Sequence, residues 1–147
     1  MAISVFDFRD KVNSLTIVDL MLQLIQDIEA DNTGEALQQL QWQKGEDRYG
    51  SILGIYTRAT EIVSKGRKKA GEPYNLFDTG SFWNETYLKA EISGNDIVFS
   101  LNSKDSKTPI LIEKMGDRIF GLADENMPEF SESVMNLLIN NLNKITN

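Results

Sequence analysis

The stretch that decides the fold class is LKAEISGNDIVFSL, which occupies residues 88–101. Apolar residues take every second position on both sides of Gly94-Asn95, as expected of two strands that each bury one face. Gly and Asn tolerate the positive φ of a two-residue hairpin loop, so this pair predicts a turn that joins the strands. The stretch therefore predicts a β-hairpin over about residues 86–101.

Helical periodicity precedes the predicted hairpin. Apolar residues three or four positions apart predict an N-terminal helix that begins near Asn13 or Ser14, either of which could cap it. Its predicted inner face comprises Val18, Met21, Leu22, Ile25 and Ile28. The first eleven residues show no pattern that assigns them to an element.

A second amphipathic helix is predicted after the hairpin, at the end of the sequence. Asp124 is a candidate N-cap, and Pro128 is tolerated because it falls in the first turn. The predicted inner face has one polar member and comprises Met127, Phe130, Val134, Leu137, Leu138, Asn141, Leu142 and Ile145. Helices on both sides of a hairpin predict an α+β fold with a small antiparallel sheet.

The remaining segments give weaker signals. The glutamine-rich run 35–44 is compatible with a helix or an extended segment and indicates no specific chemistry, whereas residues 57–67 can form a helix. The apolar run 110–112 predicts a short strand or a buried turn. The length predicts a single domain, in which residues 1–13 and 45–75 are candidates for extended or mobile arms and loops.

Composition excludes several classes of site. The chain has 147 residues, a net charge of −7, and neither Cys nor His. It therefore lacks disulfides, thiolate nucleophiles, Ser-His-Asp triads and most zinc sites, and we expect no cofactor. An acidic balance disfavours nucleic-acid binding, which depends on neutralising phosphates. The longest apolar stretch, about 17–25, contains Asp19 and Gln23 and predicts no membrane span. We expect a soluble intracellular protein or part of an assembly made inside a cell.

Two groups of side chains are candidates for contact with other molecules. Trp42, Tyr49 and Tyr56 could form an exposed aromatic surface or could anchor their loop to the core, and the sequence leaves both interpretations open. The second group is a basic cluster within residues 65–69. It comprises Lys65, Arg67, Lys68 and Lys69. On an acidic chain such a cluster is typical of a solvated loop or of a patch for an acidic partner, with phosphate contact as the alternative.

The sharpest local motif is Asp78-Thr79-Gly80, which resembles the active-site signature of aspartic proteases. In those enzymes two carboxylates share one proton, and a half-size enzyme supplies the second by dimerising. The surrounding sequence favours a plain turn, in which Asp78 accepts from backbone N–H groups and Gly80 has a positive φ. A homodimeric protease with Asp78 as the catalytic residue stays an alternative.

The order of these features resembles that of phage virion-morphogenesis and tail-completion proteins, especially members from phages and prophages of gut Bacteroidetes. The resemblance covers about residues 35–140, and no single motif in it is specific. It rests on Trp42, Tyr56-Thr57-Arg58-Ala59-Thr60, the basic cluster, Leu76-Phe77-Asp78-Thr79-Gly80-Ser81-Phe82, the hairpin, and Arg118-Ile119-Phe120-Gly121-Leu122-Ala123-Asp124-Glu125-Asn126. Many members carry a His-containing loop after the hairpin, which this chain lacks.

The resemblance implies a structural protein and no enzyme. Such a protein is a small α+β subunit of an oligomeric ring in the head–tail connector, neck or tail of a tailed phage. Its partners would be further copies of itself and other neck, portal or tail proteins, with genomic DNA only as passing cargo and no membrane. It would be located in the virion, after assembly in the cytoplasm of the bacterial host. A small cytosolic adaptor is a further alternative.

Overall fold

The computed structural model describes residues 5–94 and 96–146, and its side-chain detail covers residues 17–94 and 96–144. Within these ranges the chain forms helices on both sides of a two-stranded antiparallel sheet, which confirms the predicted α+β fold. The elements are α1 (Val5–Ala30), α2 (Thr33–Gln43), α3 (Arg58–Val63), α4 (Ser81–Asn84), β1 (Thr86–Ser93), β2 (Asp96–Ser103), α5 (Thr108–Met115) and α6 (Met127–Thr146). A short 3-10 helix, Asp117–Ile119, lies between α5 and α6.

The predicted hairpin is confirmed in its position, and its inward face is buried at Leu88, Ala90 and Leu101 but not at Ile92, which is exposed. β1 and β2 pair so that Leu88 lies opposite Leu101 and Ala90 opposite Phe99. Ser93 pairs with Asp96, which leaves a two-residue loop whose Gly94 has a φ of 61°; Asn95 lies outside the described residues.

Side chains from the first two helices cover the outer edge of β1. The N–H of Leu88 donates to Oε1 of Glu35 at 2.8 Å, and the N–H of Ala90 donates to Oε1 of Glu29 at 2.9 Å. These bonds satisfy donors that an edge strand would otherwise expose. They also attach the hairpin to α1 and α2.

Helix α1 differs from the prediction in its start and in its buried face. It begins at Val5, so the predicted cap at Asn13 or Ser14 is wrong, and residues 5–13 are helical instead of an extended arm; residues 1–4 lie outside the described residues. Among its described side chains, Leu24 and Ile28 are buried and Ile25 packs partly buried against the core, whereas Val18 and Leu22 are exposed. Among the described residues, Asp27 and Glu29 near the end of α1 and Asp31 just after it make the hydrogen bonds to α6 and the hairpin.

Two segments after the hairpin differ from the prediction. The run 110–112, predicted as a strand or buried turn, lies in α5, which has Pro109 in its first turn and ends at Met115, before Gly116 with a φ of 87°. The prediction of Asp124 as the N-cap of α6 is also wrong, because a turn over residues 124–126 delays the start of the helix to Met127.

The predicted inner face of α6 is present where the structure describes it. Phe130 is buried, Val134, Leu137 and Leu138 pack partly buried against the core, and Met127 and Leu142 are more exposed; the side chain of Ile145 lies outside the described residues. The buried Asn141 donates to Oδ2 of Asp27 at 2.8 Å, which satisfies the one polar member of this face.

Helix α2 is attached to the extended segment that follows the 3-10 helix. Nε1 of Trp42 donates to the carbonyl of Ile119 at 2.7 Å. Gln41 donates to the carbonyl of Gly121 at 2.9 Å and accepts from the N–H of Ala123 at 2.8 Å, while Oε1 of Gln38 accepts from the N–H of Gly121 at 2.7 Å. The glutamine-rich run therefore has a specific structural chemistry, which corrects its prediction.

Trp42 lies at the centre of the core and is fully buried. Its ring centroid is 4.9 Å from that of Phe82 and 5.8 Å from that of Phe120. Of the two interpretations of this residue, the structure supports the one in which Trp42 anchors its segment to the core. Trp42 as a contact residue for a partner is wrong, because its ring and its N–H are both used inside the fold.

Replacing Gln41 by leucine should lower the free energy of unfolding by about 2–3 kcal/mol, because a buried carbonyl and a buried N–H lose their partners. Urea denaturation would measure the change. The control is Gln43→Leu on the exposed side of the same helix, which should change stability by no more than about 0.5 kcal/mol. Equal effects of the two substitutions would contradict the role of Gln41.

Candidate functional site

A cleft of about 230 Å³ lies between α5, the turn at residues 76–79 and the segment 56–74. Aromatic side chains form much of its lining, namely Tyr56, Tyr74, Phe77 and Phe82. Three lysines and one aspartate also line it, namely Lys68, Lys107, Lys114 and Asp78. The cleft thus combines an apolar interior with an excess of positive charge, and it contains several of the predicted site residues.

Helix α5 supplies one wall of the cleft. Lys107 immediately precedes the helix, and Leu111 and Lys114 follow it at four and seven positions, so the three residues share one face. Oδ1 of Asp105 accepts from the N–H of Lys107 at 2.8 Å, just before the helix begins. The spacing of α5 therefore brings two cationic side chains to the same side of the cleft.

The opposite wall is built from paired backbone and two tyrosine rings in contact. Ile55 forms a bridge with Pro73, and the rings of Tyr56 and Tyr74 meet edge to face with centroids 4.8 Å apart. The hydroxyl of Tyr56 donates to Oδ1 of Asn75 at 3.0 Å. The segment 45–75, predicted as an extended or mobile loop, is thus hydrogen-bonded here, and α3 interrupts it.

The basic cluster divides between the cleft and the solvent. Nζ of Lys68 donates to Oδ1 of Asn75 at 3.0 Å, makes a short contact with the carbonyl of Phe77, and lies 5.2 Å from the ring centroid of Tyr56. Arg67 reaches the rim, where its Nη1 is 3.5 Å from Oδ1 of Asp78. Lys65 and Lys69 are exposed, and neither has an ion-pair partner among the described residues.

Asp78 lies at the rim of the cleft between two cations. Its Oδ2 is 3.0 Å from Nζ of Lys107. The hydrogen bond and charge of Lys107, with a smaller contribution from Arg67, hold the pKa of the Asp78 carboxyl below its usual value. A protease dyad needs a second carboxylate, which would act in the opposite direction. Asp78 thus faces two cations within its own chain, and the homodimeric protease, whose second carboxylate would come from another copy, stays a prediction.

The turn around Asp78 also differs in detail from the prediction. Gly80 has the predicted positive φ, at 90°. The backbone N–H of Ser81 donates to Oγ1 of Thr79 at 3.3 Å, whereas the hydrogen bonds that Asp78 accepts come from the side chains of Arg67 and Lys107. The acceptor of a backbone N–H in this turn is thus Thr79, and Asp78 is left to face the cations.

Tyr49 lies outside the cleft, on the loop that follows α2. Its side chain is 70% exposed, and Cζ of Arg48 lies 5.1 Å from its ring centroid. The buried Asp47 holds this loop, because its Oδ1 accepts from the N–H groups of Tyr49 and Ser51 and its Oδ2 pairs with Arg118. The three aromatic candidates therefore lie in three different environments. Trp42 is buried in the core, Tyr56 lines the cleft, and Tyr49 is exposed.

Lys107, Lys114 and Tyr74 are cleft residues that the sequence reasoning missed. The signal for the lysines is the four- and seven-residue spacing from Lys107, which becomes visible only if residues 108–115 are taken as a helix. The consecutive apolar residues 110–112 favoured a strand instead. Tyr74 lies next to Pro73 in the segment predicted as a loop, where nothing local indicates that its ring packs against Tyr56.

Comparison of the chain with family models, with curated proteins and with solved structures finds no match. Among the side chains that the structure describes, residues 17–94 and 96–144, His, Cys, Asp and Glu form no group of three or more that could hold a metal ion. Within residues 5–94 and 96–146, no helix has the length and hydropathy to cross a membrane. The candidate site therefore has to be interpreted from its own geometry.

Replacing Asp47 by asparagine should destabilise the protein by about 1–3 kcal/mol at neutral pH, because Arg118 loses its buried anionic partner while staying partly solvated. Burial alone would raise the pKa of Asp47, but the hydrogen bonds from Arg118, Ser51 and Tyr49 outweigh it and hold the pKa below its usual value. The stabilisation from ionised Asp47 is thus present above the unfolded-state pKa of about 3.9 and is lost as the pH falls below it.

Urea denaturation of both proteins between pH 7 and pH 2.5 would measure this dependence. The stability difference between wild type and Asp47→Asn should be largest near neutral pH and should shrink below about pH 4. Asp117→Asn is the matched control, because Asp117 pairs with Arg48 at an exposed position. A difference between wild type and Asp47→Asn that is constant with pH would contradict the assignment.

Proposed function

We propose that this chain is a structural subunit of a tailed-phage virion that assembles into a ring at the head–tail junction or in the tail. The order of motifs between about residues 35 and 140, which resembles that of virion-morphogenesis and tail-completion proteins, supports the proposal. The observation that carries it is an exposed apolar surface on each of two helices. A subunit that acts by assembly needs such surfaces and needs no catalytic group.

The first surface lies near the middle of α1. Ile17, Val18 and Leu22, which we call the α1 surface, are 56%, 53% and 52% exposed. These residues are close together on the helix and precede the buried Leu24 and Ile28. Clustered large apolar side chains in solvent are typical of protein–protein contacts.

The second surface lies on the outer side of α6. Met135 and Ile139, which we call the α6 surface, are 52% and 47% exposed and are four positions apart, so they share one face of the helix. The buried Phe130 and Asn141 face the core from the other side. The α6 surface is thus distinct from the part of α6 that holds the subunit together.

Two different surfaces that bind each other form a head-to-tail contact, and such contacts close into a ring when the rotation permits. The α1 surface of one copy would bind the α6 surface of the next. Neighbouring portal, neck or tail proteins would then stack on the ring. A net charge of −7 per subunit would let the wall of the channel repel the phosphates of passing DNA.

The test is the native mass of the purified protein, with negative-stain images of any large species. The wild type should form a closed ring of about six or twelve copies. Ile17→Asp with Val18→Asp should abolish the ring, as should Met135→Asp with Ile139→Asp, because charge would be buried in the contact. Gln26→Asp, at an exposed polar position of α1, is the control and should leave the ring intact.

A mixing experiment separates the head-to-tail contact from a symmetric one. Each double variant keeps one intact surface, so an equimolar mixture of the two should form a 1:1 heterodimer and nothing larger. A symmetric α1–α1 contact would instead give homodimers of the α6 variant alone, and a symmetric α6–α6 contact would give homodimers of the α1 variant alone. A wild-type monomer that also fails to bind portal or neck proteins would contradict the proposal and would favour a small cytosolic adaptor.

A further inference from the structure

The cleft between α5 and the 76–79 turn has more positive charge than its own anion can balance. Of its three lysines, only Lys107 has a carboxylate partner, Asp78. Lys68 contacts neutral oxygens of Asn75 and Phe77, and Lys114 lies 5.4 Å from the ring centroid of Tyr74 with no ion-pair partner among the described residues. On a chain whose net charge is −7, this local excess of positive charge favours the binding of an anion.

The apolar part of the cleft favours a ligand with a flat aromatic ring. Its walls include the rings of Tyr56, Tyr74 and Phe77, and the buried Phe82 also lines it. A cavity of about 150 Å³ is known to hold a benzene molecule, so the 230 Å³ of this cleft accommodates one aromatic ring with a small polar group. Lysines near the rings place the cationic groups where that polar group would lie.

We propose that the cleft binds an aromatic residue that carries a free carboxylate, namely the C-terminal aromatic residue of a partner protein. The ring would pack among the tyrosines and Phe77, and the carboxylate would accept hydrogen bonds from Lys107 and Lys114. This inference concerns a surface separate from those on α1 and α6, and it does not depend on ring formation.

Asp78 contacts the cations that the ligand's carboxylate would contact. Its oxygens are 3.0 Å from Nζ of Lys107 and 3.5 Å from Nη1 of Arg67. All three side chains are about half exposed or more, and exposed ion pairs of this kind are weak. An incoming carboxylate can therefore displace Asp78 at small cost. Asp78 thus competes with the ligand's carboxylate for Lys107 and Arg67.

The test uses N-acetyl-L-phenylalanine as the probe and its uncharged amide as the matched comparison, with binding followed by calorimetry and by the fluorescence of Trp83. Trp83 reports on the cleft because its ring centroid is 5.1 Å from that of Phe77. The acid should bind more tightly than the amide, and acetate should not bind measurably. Added salt should weaken binding of the acid and leave that of the amide unchanged.

Variants of the cleft should move the affinity in opposite directions. Asp78→Asn should tighten binding of the acid by about twofold to fivefold, because it releases Lys107 and Arg67. Lys107→Gln and Lys114→Gln should weaken it by a similar factor. Lys104→Gln is the control, because Lys104 lies over the ring of Tyr87 and does not line this cleft; it should leave the affinity unchanged. A gain in affinity cannot arise from misfolding, so Asp78→Asn is the decisive variant.

Three results would overturn the proposal. They are equal binding of the acid and the amide, weaker binding of the acid to Asp78→Asn, and equal losses in Lys104→Gln and Lys114→Gln. A tetrapeptide that ends in phenylalanine tests the source of the group. Tighter binding of the peptide than of N-acetyl-L-phenylalanine supports a protein chain end, whereas equal binding overturns that assignment in favour of a free aromatic acid.

Discussion

Hydrogen bonds from three buried side chains of α2 to the backbone of residues 119–123 join the two halves of the chain. This segment runs through the interior without a strand partner, so its polar backbone groups need side-chain partners. Gln38, Gln41 and Trp42 provide them across about 80 positions of sequence. α5 and α6 lie on the two sides of this segment, so the places of both helices depend on these bonds.

The cleft also depends on the attachment of α2 to residues 119–123, because Phe82, which lines the cleft, packs against Trp42. The ring of Phe82 packs against Trp42, and its carbonyl accepts from the hydroxyls of Thr86 and Ser103. Phe82 thus connects the core with the starting end of β1 and the last residue of β2, and the carbonyl of Ser103 accepts from Thr108 at the start of α5. The wall that carries Lys107 and Lys114 is held against the aromatic wall by this chain of contacts, although both lysines are at the surface.

The hairpin and α6 could be predicted because their signals are local: alternation around Gly94-Asn95 and a helical repeat from Phe130 onward. The run 110–112 could not, because three consecutive apolar residues suit a strand as well as a helix, and the helix is marked only by Pro109 in its first turn and by Gly116 after its last residue. The role of Gln41 was equally hidden. A glutamine in a helix gives no local sign of a backbone partner 80 positions away. The cleft was found only in part, since its lysines come from the misassigned segment.

The proposed assembly surfaces and the cleft use different parts of the subunit. The α1 and α6 surfaces contain residues 17–22 and 135–139, whereas the cleft is lined by residues from the ranges 56–82 and 107–115. Substitutions in one should therefore leave the other intact, since distant sites without shared partners act independently. A ring would repeat the cleft once per subunit around its axis. Each copy would then bind one carboxylate-bearing ring weakly. A partner with matching symmetry would still be held firmly, because binding at one site raises the effective concentration of its other chain ends at the remaining sites.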